Sequence, residues 1–474
     1  MKLIEKFLKT LTMKRIKLLF STIFFLTLSS IWCSNLFCAN SKHCNNCWKY
    51  DTEILPGASN IDYYLPLIKG KKVCIVTNQT GIIPAIGIEV YDNNSKANLN
   101  LTESQSEEFR RGANSDGLDE CKKFTRYVHI VDTLKALGVD IVCIMSPEHG
   151  FRGTADAGEK VSNSIDPQTG IEIRSLYGTV NEKELMKGFD VVLFDLQDVG
   201  VRFYTYYVTM VNMMKRCAKS KIPIYILDRP NPIGFYTDGP ILPLTKELKS
   251  GVGALPIPIA YGMTMGELAQ MANGEHWLEY TLDERGFYMQ NRELECELHI
   301  VKCLNYSHSK HYRLPVKPSP NLPNMRSIYL YPSICYFEGT DFSIGRGTDF
   351  PFQVYGSPEM ENCDFSFTPR SVDGAKNPPR LGEECFGVDL RKGLSFKEIN
   401  RNKIDLSYII DAYNRSGNRG LKFFRRMFDL EIGNLKVKGL IVEGKSIPEI
   451  KQEIGWDSDV EKFKKERVKY MLYD

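Results

Sequence analysis

The sequence predicts an α/β protein: a mostly parallel, helix-covered sheet followed by a smaller α+β C-terminal domain. Two observations carry this prediction. Short, continuously apolar runs alternate with helix-like segments in the first part of the chain, a pattern typical of parallel strands buried on both faces. After about residue 285 this alternation is lost, and proline and glycine become dense between residues 315 and 358.

Each element follows from its local pattern. Buried strands are predicted where short runs rich in Val, Ile and Leu end at turn-forming residues, at 71–77, 140–145, 190–196 and 223–227. Apolar residues at helical spacing predict helices at 128–137 and 206–219, and in the C-terminal domain at 404–414, 421–428 and 457–471.

The N-terminal residues differ from the rest of the chain. Lys14, Arg15 and Lys17 precede the apolar run 18–32, the order expected of a secretory signal. The run is shorter than the roughly 20 residues that span a bilayer, although an uncleaved anchor stays an alternative. We therefore expect a cleaved leader, no stable membrane span afterwards and an extracytoplasmic location, periplasmic or secreted.

The predicted organisation has four parts. They are a leader at 1–40, a linker at 41–64, a sheet domain at 65–285 with a polar insertion at 92–123, and the α+β domain at 290–474. The oligomeric state is left open.

Charge and absent motifs exclude several classes of function. The chain of 474 residues has 61 basic and 58 acidic residues, too even a balance for a typical nucleic-acid binder. No G-x-G-x-x-G follows the first strand, and neither a P-loop, H-E-x-x-H nor G-x-S-x-G occurs. We therefore predict no nucleotide cofactor, no metal and no nucleic-acid partner.

The strongest chemical signal is the segment PEHGFRG (147–153), directly after a predicted strand. Glu148 and His149 are candidate catalytic groups there, because burial and neighbouring charges tune a carboxyl group for acid/base work. Arg152 is a candidate substrate ligand. The alternative is a loop salt bridge between Glu148 and Arg152.

Further candidates follow the other strands. Asp198 is the candidate second catalytic group, with a helix N-cap as its alternative role. The candidate substrate-binding residues, which supply amides, charges and a ring, are Asn78, Gln79, Gln197, Arg202, Tyr204, Arg229, Asn231, Glu338 and Arg346. The recurring arginines predict an anionic group on the substrate, since guanidinium matches carboxylate bidentately.

Ten stretches in order along the chain resemble the NamZ-type exo-β-N-acetylmuramidases, which are peptidoglycan-recycling glycosidases. They are TNQTG (77–81), SPEHGFRG (146–153), AGEKV (157–161), SLYG (175–178), FDLQDVGVRFYTY (194–206), LDRPNPIG (227–234), YGMTMGELA (261–269), PSPNLPN (318–324), YPSICYFEGTDFSIGRGTDFPF (331–352) and FKKERVKYMLYD (463–474).

The resemblance implies a Rossmann-like first domain without a nucleotide cofactor. It also implies hydrolysis that releases N-acetylmuramic acid from the non-reducing end of peptidoglycan fragments, muropeptides or disaccharides. The lactyl carboxylate of this sugar would account for the arginines, and the family's catalytic glutamate corresponds to Glu148.

The mechanism has several open forms. We expect Glu148 to act as general acid with Asp198 or Glu338 as the ionised partner, while substrate assistance by the 2-acetamido group is a further route. Two other classes remain: a non-catalytic binding protein for muramyl sugars, and a nicotinamide oxidoreductase, against which the absent glycine motif argues.

Overall fold

The computed structural model describes residues 54–84, 127–147, 151, 163–176, 181–400, 403–417 and 419–474. The predicted leader, the predicted insertion at 92–123, Glu148, His149 and Arg152 lie outside these residues. Within the described ranges, no helix has both the length and the apolar character needed to cross a bilayer.

The strands, in chain order, are β1 (Lys72–Thr77), β2 (Ile82–Pro84), β3 (Tyr127–His129), β4 (Asp140–Ser146), β5 (Ser164–Ile165), β6 (Glu172–Ser175), β7 (Val191–Asp195), β8 (Ile224–Leu227), β9 (Tyr280–Leu282), β10 (Tyr288–Gln290), β11 (Leu298–Val301), β12 (Val354–Ser357), β13 (Phe365–Phe367) and β14 (Cys385–Asp389).

The α-helices are α1 (Ile61–Ile68), α2 (Ile130–Ala136), α3 (Glu182–Leu185), α4 (Tyr206–Ser220), α5 (Met265–Gly274), α6 (Met325–Ile334), α7 (Phe396–Ile399), α8 (Ser407–Asn414), α9 (Arg426–Ile432), α10 (Val437–Val442), α11 (Ile447–Glu453) and α12 (Trp456–Arg467). Short 3-10 helices form at Gly57–Ser59, Cys335–Gly339, Gly420–Phe423 and Val468–Tyr470.

A seven-stranded sheet organises the first part of the chain, in the order β11-β8-β7-β1-β4-β6-β5. Six strands are parallel, and only the edge strand β5 pairs antiparallel, with β6. Counted along the chain, the parallel strands lie in the order 3-2-1-4-5-6 of a Rossmann fold, so the strand order reverses between β1 and β7. The predicted α/β class with a Rossmann-like sheet is confirmed.

Alternate residues of the central strands enter two different cores. In β1, Cys74 and Val76 belong to one apolar cluster, whereas Val73 and Ile75 belong to another. β7 divides its residues in the same way. Both faces of the sheet are therefore covered, which explains why these strands are continuously apolar in sequence.

The helices of the sheet domain begin and end at recognisable signals. α5 begins with a capping box in which Thr264 and Glu267 satisfy each other's main-chain N–H groups. α4 ends at Lys221, which takes a left-handed conformation with φ 54°. These caps fix the helices that cover the sheet.

The smaller C-terminal part is α+β, as predicted. Its antiparallel sheet has the order β12-β14-β13, surrounded by α6 to α12. Every residue of α6 is buried. Tyr336 and Phe428 share an apolar cluster with Val192 of the parallel sheet, so this part contributes to the same core.

Four local predictions differ from the structure. The predicted helix at 128–137 begins only at Ile130, because residues 128 and 129 belong to β3 and pair with β2. The predicted helix at 421–428 is instead the 3-10 helix Gly420–Phe423 followed by α9. Part of the predicted linker is folded: Tyr64 is buried in α1, and Gly57 donates its N–H to the Asp228 carbonyl. β11 lies beyond residue 290, yet it extends the parallel sheet by pairing with β8.

Candidate active site

The carboxyl ends of β1 and β7 bring the first candidates together at the point where the strand order reverses. Asn78 is buried after β1, and its Nδ2 donates to the Tyr206 hydroxyl at 2.7 Å. Its Oδ1 accepts from the N–H and hydroxyl of Thr80, which fixes the turn. Nε2 of His129 lies 2.9 Å from the Asn78 carbonyl. Asn78 is therefore rigidly oriented at the position where ligands bind in such sheets.

A single carbonyl links this edge to the segment that leads into α6. The Pro318 oxygen accepts from Gln79 Nε2 at 3.3 Å and from the Tyr204 hydroxyl at 2.8 Å. The Oε1 atom of Gln79 is buried and has no hydrogen-bond partner within the described part of the chain. A buried amide oxygen of this kind is available to a donor on a ligand.

Aromatic rings continue from Tyr204 toward the C-terminal part. Tyr204 meets Tyr206 edge-on at a centroid distance of 4.9 Å and Tyr331 at 6.3 Å. Tyr331 in turn contacts Phe352 at 4.9 Å. We call Tyr204, Tyr206, Tyr331 and Phe352 the aromatic row. It runs from Asn78 to the next pair of candidates, Glu338 and Arg346.

Glu338 and Arg346 form an ion pair at the end of the aromatic row. Arg346 Nε and Nη2 lie 2.7 and 2.6 Å from Glu338 Oε1, and the guanidinium lies 4.9 Å from the centre of the Phe352 ring. The Glu338 side chain is 29% exposed and the Arg346 side chain is 21% exposed. Glu338 is thus a carboxylate that solvent or a ligand can reach, held in place by one guanidinium.

Asp198 has a different environment. Its Oδ1 accepts from the Gly200 N–H at 2.6 Å and from the Tyr261 hydroxyl, while Oδ2 is buried with no hydrogen-bond partner in the described ranges. Burial raises the pKa of Asp198 to about 7, against the opposing effect of the Tyr261 hydroxyl. The carboxyl group is therefore largely enclosed by protein.

Gln197 and Asn231 are buried scaffolding residues beside Asp198. Gln197 Nε2 donates to the carbonyls of Asp198 and Pro230, both at 2.9 Å. Asn231 Nδ2 donates to the Met263 carbonyl at 2.8 Å, and its Oδ1 accepts from the Ile233 N–H at 2.9 Å. These bonds tie the loop after β7 to the loop after β8.

Arg229 is engaged by Asp195 rather than available to an anion. Its Nε and Nη2 donate to the two carboxylate oxygens at 2.6 and 2.9 Å, and both side chains are buried. Asp195 ends β7 and Arg229 follows β8, so the pairing of these neighbouring strands brings the two residues together. In the structure Arg229 thus makes a buried ion pair, and its ligand-binding role stays a prediction.

Arg202 also has a structural environment. Its guanidinium is fully buried and donates to the carbonyls of Pro240, Ile257 and Glu431 at 2.7 to 2.9 Å. Burial lowers the pKa of Arg202 to about 10. The guanidinium of Arg202 is thus bound to main-chain carbonyls, and its role as a substrate ligand stays a prediction.

One group of described residues has the composition of a metal site. Ligand atoms of Cys335, Glu338 and Glu431 all lie within 4.8 Å of one another. However, Arg346 already places its positive charge on Glu338, where a metal ion would bind. Thiolate and carboxylate are ordinary Zn²⁺ ligands, but the guanidinium on Glu338 opposes a second positive charge at this group.

The segment that contains Glu148, His149 and Arg152 lies outside the described residues, but its flanks lie at this edge. β4 pairs with β1 and ends at Ser146, next to the end of β1. On the other side, the Phe151 ring meets His129 edge-on at 5.1 Å. His129 in turn contacts the Asn78 carbonyl.

The structure thus divides the described candidates into two groups. Asn78, Gln79, Tyr204, Glu338 and Arg346 are linked through the aromatic row, whereas Gln197, Asp198, Arg202, Arg229 and Asn231 are enclosed by protein contacts. The sequence did not identify Tyr206 and Tyr331 as site residues, although they lie in the family-like stretches 194–206 and 331–352. It also missed Glu431, which no local pattern marks.

Comparisons with known proteins match both parts of the chain to the same family. Residues 115–326 match the family model "Exo-beta-N-acetylmuramidase NamZ, N-terminal", and residues 329–473 match its C-terminal counterpart. The peptidoglycan beta-N-acetylmuramidase NamZ of Bacillus subtilis (strain 168) is 33% identical over 356 residues, which cover 71% of this chain and 80% of that protein.

Solved structures give the same result. A DUF1343 family protein from Bacteroides fragilis NCTC 9343 is 44% identical, with a TM-score of 0.71 over 89% of this chain and 99% of that one. A second DUF1343 protein from the same organism, 24% identical with a TM-score of 0.59, shares the fold. The chain therefore belongs to the NamZ family of glycosidases, the exo-β-N-acetylmuramidases.

Proposed function

We propose that this protein hydrolyses peptidoglycan fragments from the non-reducing end and releases N-acetylmuramic acid. The observation that carries the proposal is the match of both family models, which together span residues 115–473 with a gap of two residues. The Bacillus subtilis relative, named a peptidoglycan beta-N-acetylmuramidase, supports the substrate class.

We assign Glu148 as the general acid that protonates the glycosidic oxygen. The flanks of its segment support this role, because both lie at the strand edge that holds Asn78. A glycosidase of this type needs a second group, either an ionised carboxylate or the 2-acetamido group of the sugar.

Glu338 fits the role of the ionised partner better than Asp198 does. It is partly exposed and bound to Arg346, whereas Asp198 is enclosed and its pKa of about 7 leaves it partly protonated at neutral pH. The Arg346 guanidinium keeps the Glu338 carboxylate oriented. The rings of the aromatic row are buried and pack edge-on, so they connect the Asn78 turn rigidly to this ion pair.

The first experiment is hydrolysis of a chromogenic β-N-acetylmuraminide by the wild type, Glu148→Gln and the exposed-site control Glu184→Gln. We expect chromophore release by the wild type and the control, and a loss of roughly 10²-fold or more in Glu148→Gln, the usual contribution of a general acid. The variant should still bind the sugar, because its fold is unchanged.

The outcomes separate the alternatives. Sugar binding by the wild type without chromophore release would favour a non-catalytic muramyl-sugar binding protein. Near-wild-type turnover by Glu148→Gln would remove Glu148 from the mechanism. NMR of the released sugar then gives its anomeric configuration, which separates retaining from inverting routes.

A second comparison concerns the partner group. We expect Glu338→Gln to lose activity by a factor similar to Glu148→Gln, while Asp198→Asn keeps the greater part of it. The reverse order of effects would transfer the partner role to Asp198. If neither variant loses turnover, substrate assistance by the 2-acetamido group becomes the favoured route.

We also propose export of the protein, on the basis of the basic and apolar residues between 14 and 32. Cell fractionation with an antibody against the chain tests this. The mature protein is expected outside the cytoplasm and shorter than the full sequence, and recovery of full-length chain in the cytoplasm would contradict export.

A further inference from the structure

A second carboxyl group lies behind the Glu338–Arg346 pair. Glu431, in α9, is 2% exposed, and its Oε1 lies 3.7 Å from the Cys335 sulfur, which donates to it. Its Oε2 is buried and has no hydrogen-bond partner among the residues that the structure describes. The ligand atoms of Glu431, Glu338 and Cys335 lie within 4.8 Å of one another.

Among the described residues, the charges around this group provide for one carboxylate and not for two. Arg346 is bound to Glu338. Arg202, the other guanidinium at this site, donates to the main-chain oxygen of Glu431 rather than to its carboxyl group. An unpaired second carboxylate in this buried position would be costly.

Glu431 therefore holds a proton more firmly than an ordinary glutamate does. Burial, and next the charge of Glu338, raise its pKa well above the usual carboxyl range, whereas the Cys335 thiol and Arg346 act in the opposite direction. Tyr331, which packs beside Cys335, has a pKa raised by burial as well and adds no negative charge at neutral pH.

We propose that Glu431 is a positioning residue for the reaction: as a neutral carboxylic acid it leaves the Arg346 guanidinium entirely to Glu338 and so keeps the Glu338 carboxylate aligned at the end of the aromatic row. This inference rests on the proposed glycosidase function. When Glu431 ionises at alkaline pH, its negative charge competes with Glu338 for Arg346 and repels the Glu338 carboxylate. Turnover then falls.

The test compares pH profiles of kcat/KM and of unfolding for the wild type, Glu431→Gln and the exposed-site control Glu443→Gln. Ionisation of the general acid Glu148 lowers kcat/KM toward alkaline pH in all three proteins, so the readout is a second decline added to it. Above the pKa of Glu431, the wild type and the control should lose about a further tenfold in kcat/KM per pH unit, the slope of one more ionisation. Glu431→Gln, which stays neutral, should lack this second decline, whereas a purely structural role would leave it in place.

Stability gives a second readout with a definite sign. A carboxyl group whose pKa is raised by folding contributes stability that is fully present below its unfolded pKa and is lost as the pH rises through its folded pKa. The wild type should therefore lose unfolding free energy toward alkaline pH relative to Glu431→Gln. If the free energy of unfolding of the two proteins depends on pH in the same way, the inference is overturned.

Infrared spectroscopy tests the protonation state without any turnover. At pH 7 the difference spectrum of wild type minus Glu431→Gln should contain the carbonyl band of a protonated carboxylic acid. The difference between wild type and Glu443→Gln should lack it. Absence of the band from the first difference would show Glu431 to be ionised and would overturn the inference.

Cys335→Ala separates Glu431 from the neighbouring thiol. Loss of the S–H donor removes an effect that lowers the pKa of Glu431, so the second decline should move to higher pH. Its disappearance in Cys335→Ala would instead assign the second decline to Cys335. A wild type without muramidase activity contradicts the proposed function, whereas an active wild type whose second decline persists in Glu431→Gln contradicts this inference alone.

Discussion

At the scale of single residues, the arginines show how strongly a buried environment decides what a charged group does. Arg202, Arg229 and Arg346 occur in similar sequence contexts, beside glycine, proline and aromatic residues. In the structure Arg202 binds main-chain carbonyls, Arg229 binds a buried aspartate and Arg346 binds a partly exposed glutamate. Only the last arrangement leaves a charged group within reach of a ligand.

The Asp195–Arg229 pair gives a prediction at this scale. Replacement of Asp195 by Asn leaves the Arg229 guanidinium buried without a counter-charge, so we expect the free energy of unfolding to fall by about 3–5 kcal/mol. Urea denaturation measures this loss. Glu184→Gln, in an exposed ion pair, should leave the denaturation midpoint unchanged.

A double replacement completes this test. Asp195→Leu combined with Arg229→Met removes both charges, and stability should recover most of what Asp195→Asn loses. If the double variant is as unstable as the single one, the loss comes from packing and not from the unpaired guanidinium.

At the scale of elements, the segment 468–474 is bound to the carboxyl-end loops of the parallel sheet. The Tyr473 hydroxyl donates to Asp228 at 2.7 Å and accepts from the Cys303 N–H at 2.8 Å. The Leu472 N–H donates to Glu267 at 2.8 Å. These contacts hold α5 and β11 against the loop that follows β8.

We predict that Tyr473→Phe lowers the free energy of unfolding by about 1–3 kcal/mol, because it leaves a buried donor and a buried carboxyl oxygen each short of one partner. Chemical denaturation measures the change. Tyr63→Phe, at a position 56% exposed in α1, is the matched control and should be neutral. Equal effects of the two substitutions would contradict the assigned role of the Tyr473 hydroxyl.

The sequence predicted those elements whose burial is uniform. β1, β7 and β8 are buried along almost their whole length, so their apolar runs are unambiguous. β6 and β11 were missed because EIRS and LHIV mix exposed polar and apolar residues at sheet positions nearer the edge. Glu431 was missed because its neighbour Glu338 is 93 positions away, and only tertiary packing brings the two together.

At the scale of the whole molecule, the sheet has the strand order of a dinucleotide-binding protein without its phosphate turn. The turn after β1 reads Asn78-Gln79-Thr80-Gly81. The Asn78 side chain donates to Tyr206 and accepts from the Thr80 N–H, and the Gln79 side chain donates to the Pro318 carbonyl. No row of glycine N–H groups faces the crevice at this turn, as pyrophosphate binding requires.

We therefore predict that the protein does not bind nicotinamide dinucleotides. Titration of the protein into NADH should cause no saturable change in the NADH fluorescence. A dehydrogenase, as positive control, should give a saturable change under the same conditions. A saturable change that NAD⁺ reverses by competition would contradict this prediction and reopen the oxidoreductase alternative.

Long-range contacts between the sheet domain and the C-terminal part also affect the order of folding. Tyr473 and Asp228 are 245 positions apart, and Arg202 and the Glu431 carbonyl are 229 apart. Neither bond can form on the ribosome before the C-terminal part has been synthesised. Because such distant contacts slow folding, Asp228 and Arg202 each lack one native hydrogen bond until synthesis is nearly complete, and the sheet domain reaches its final form only after that.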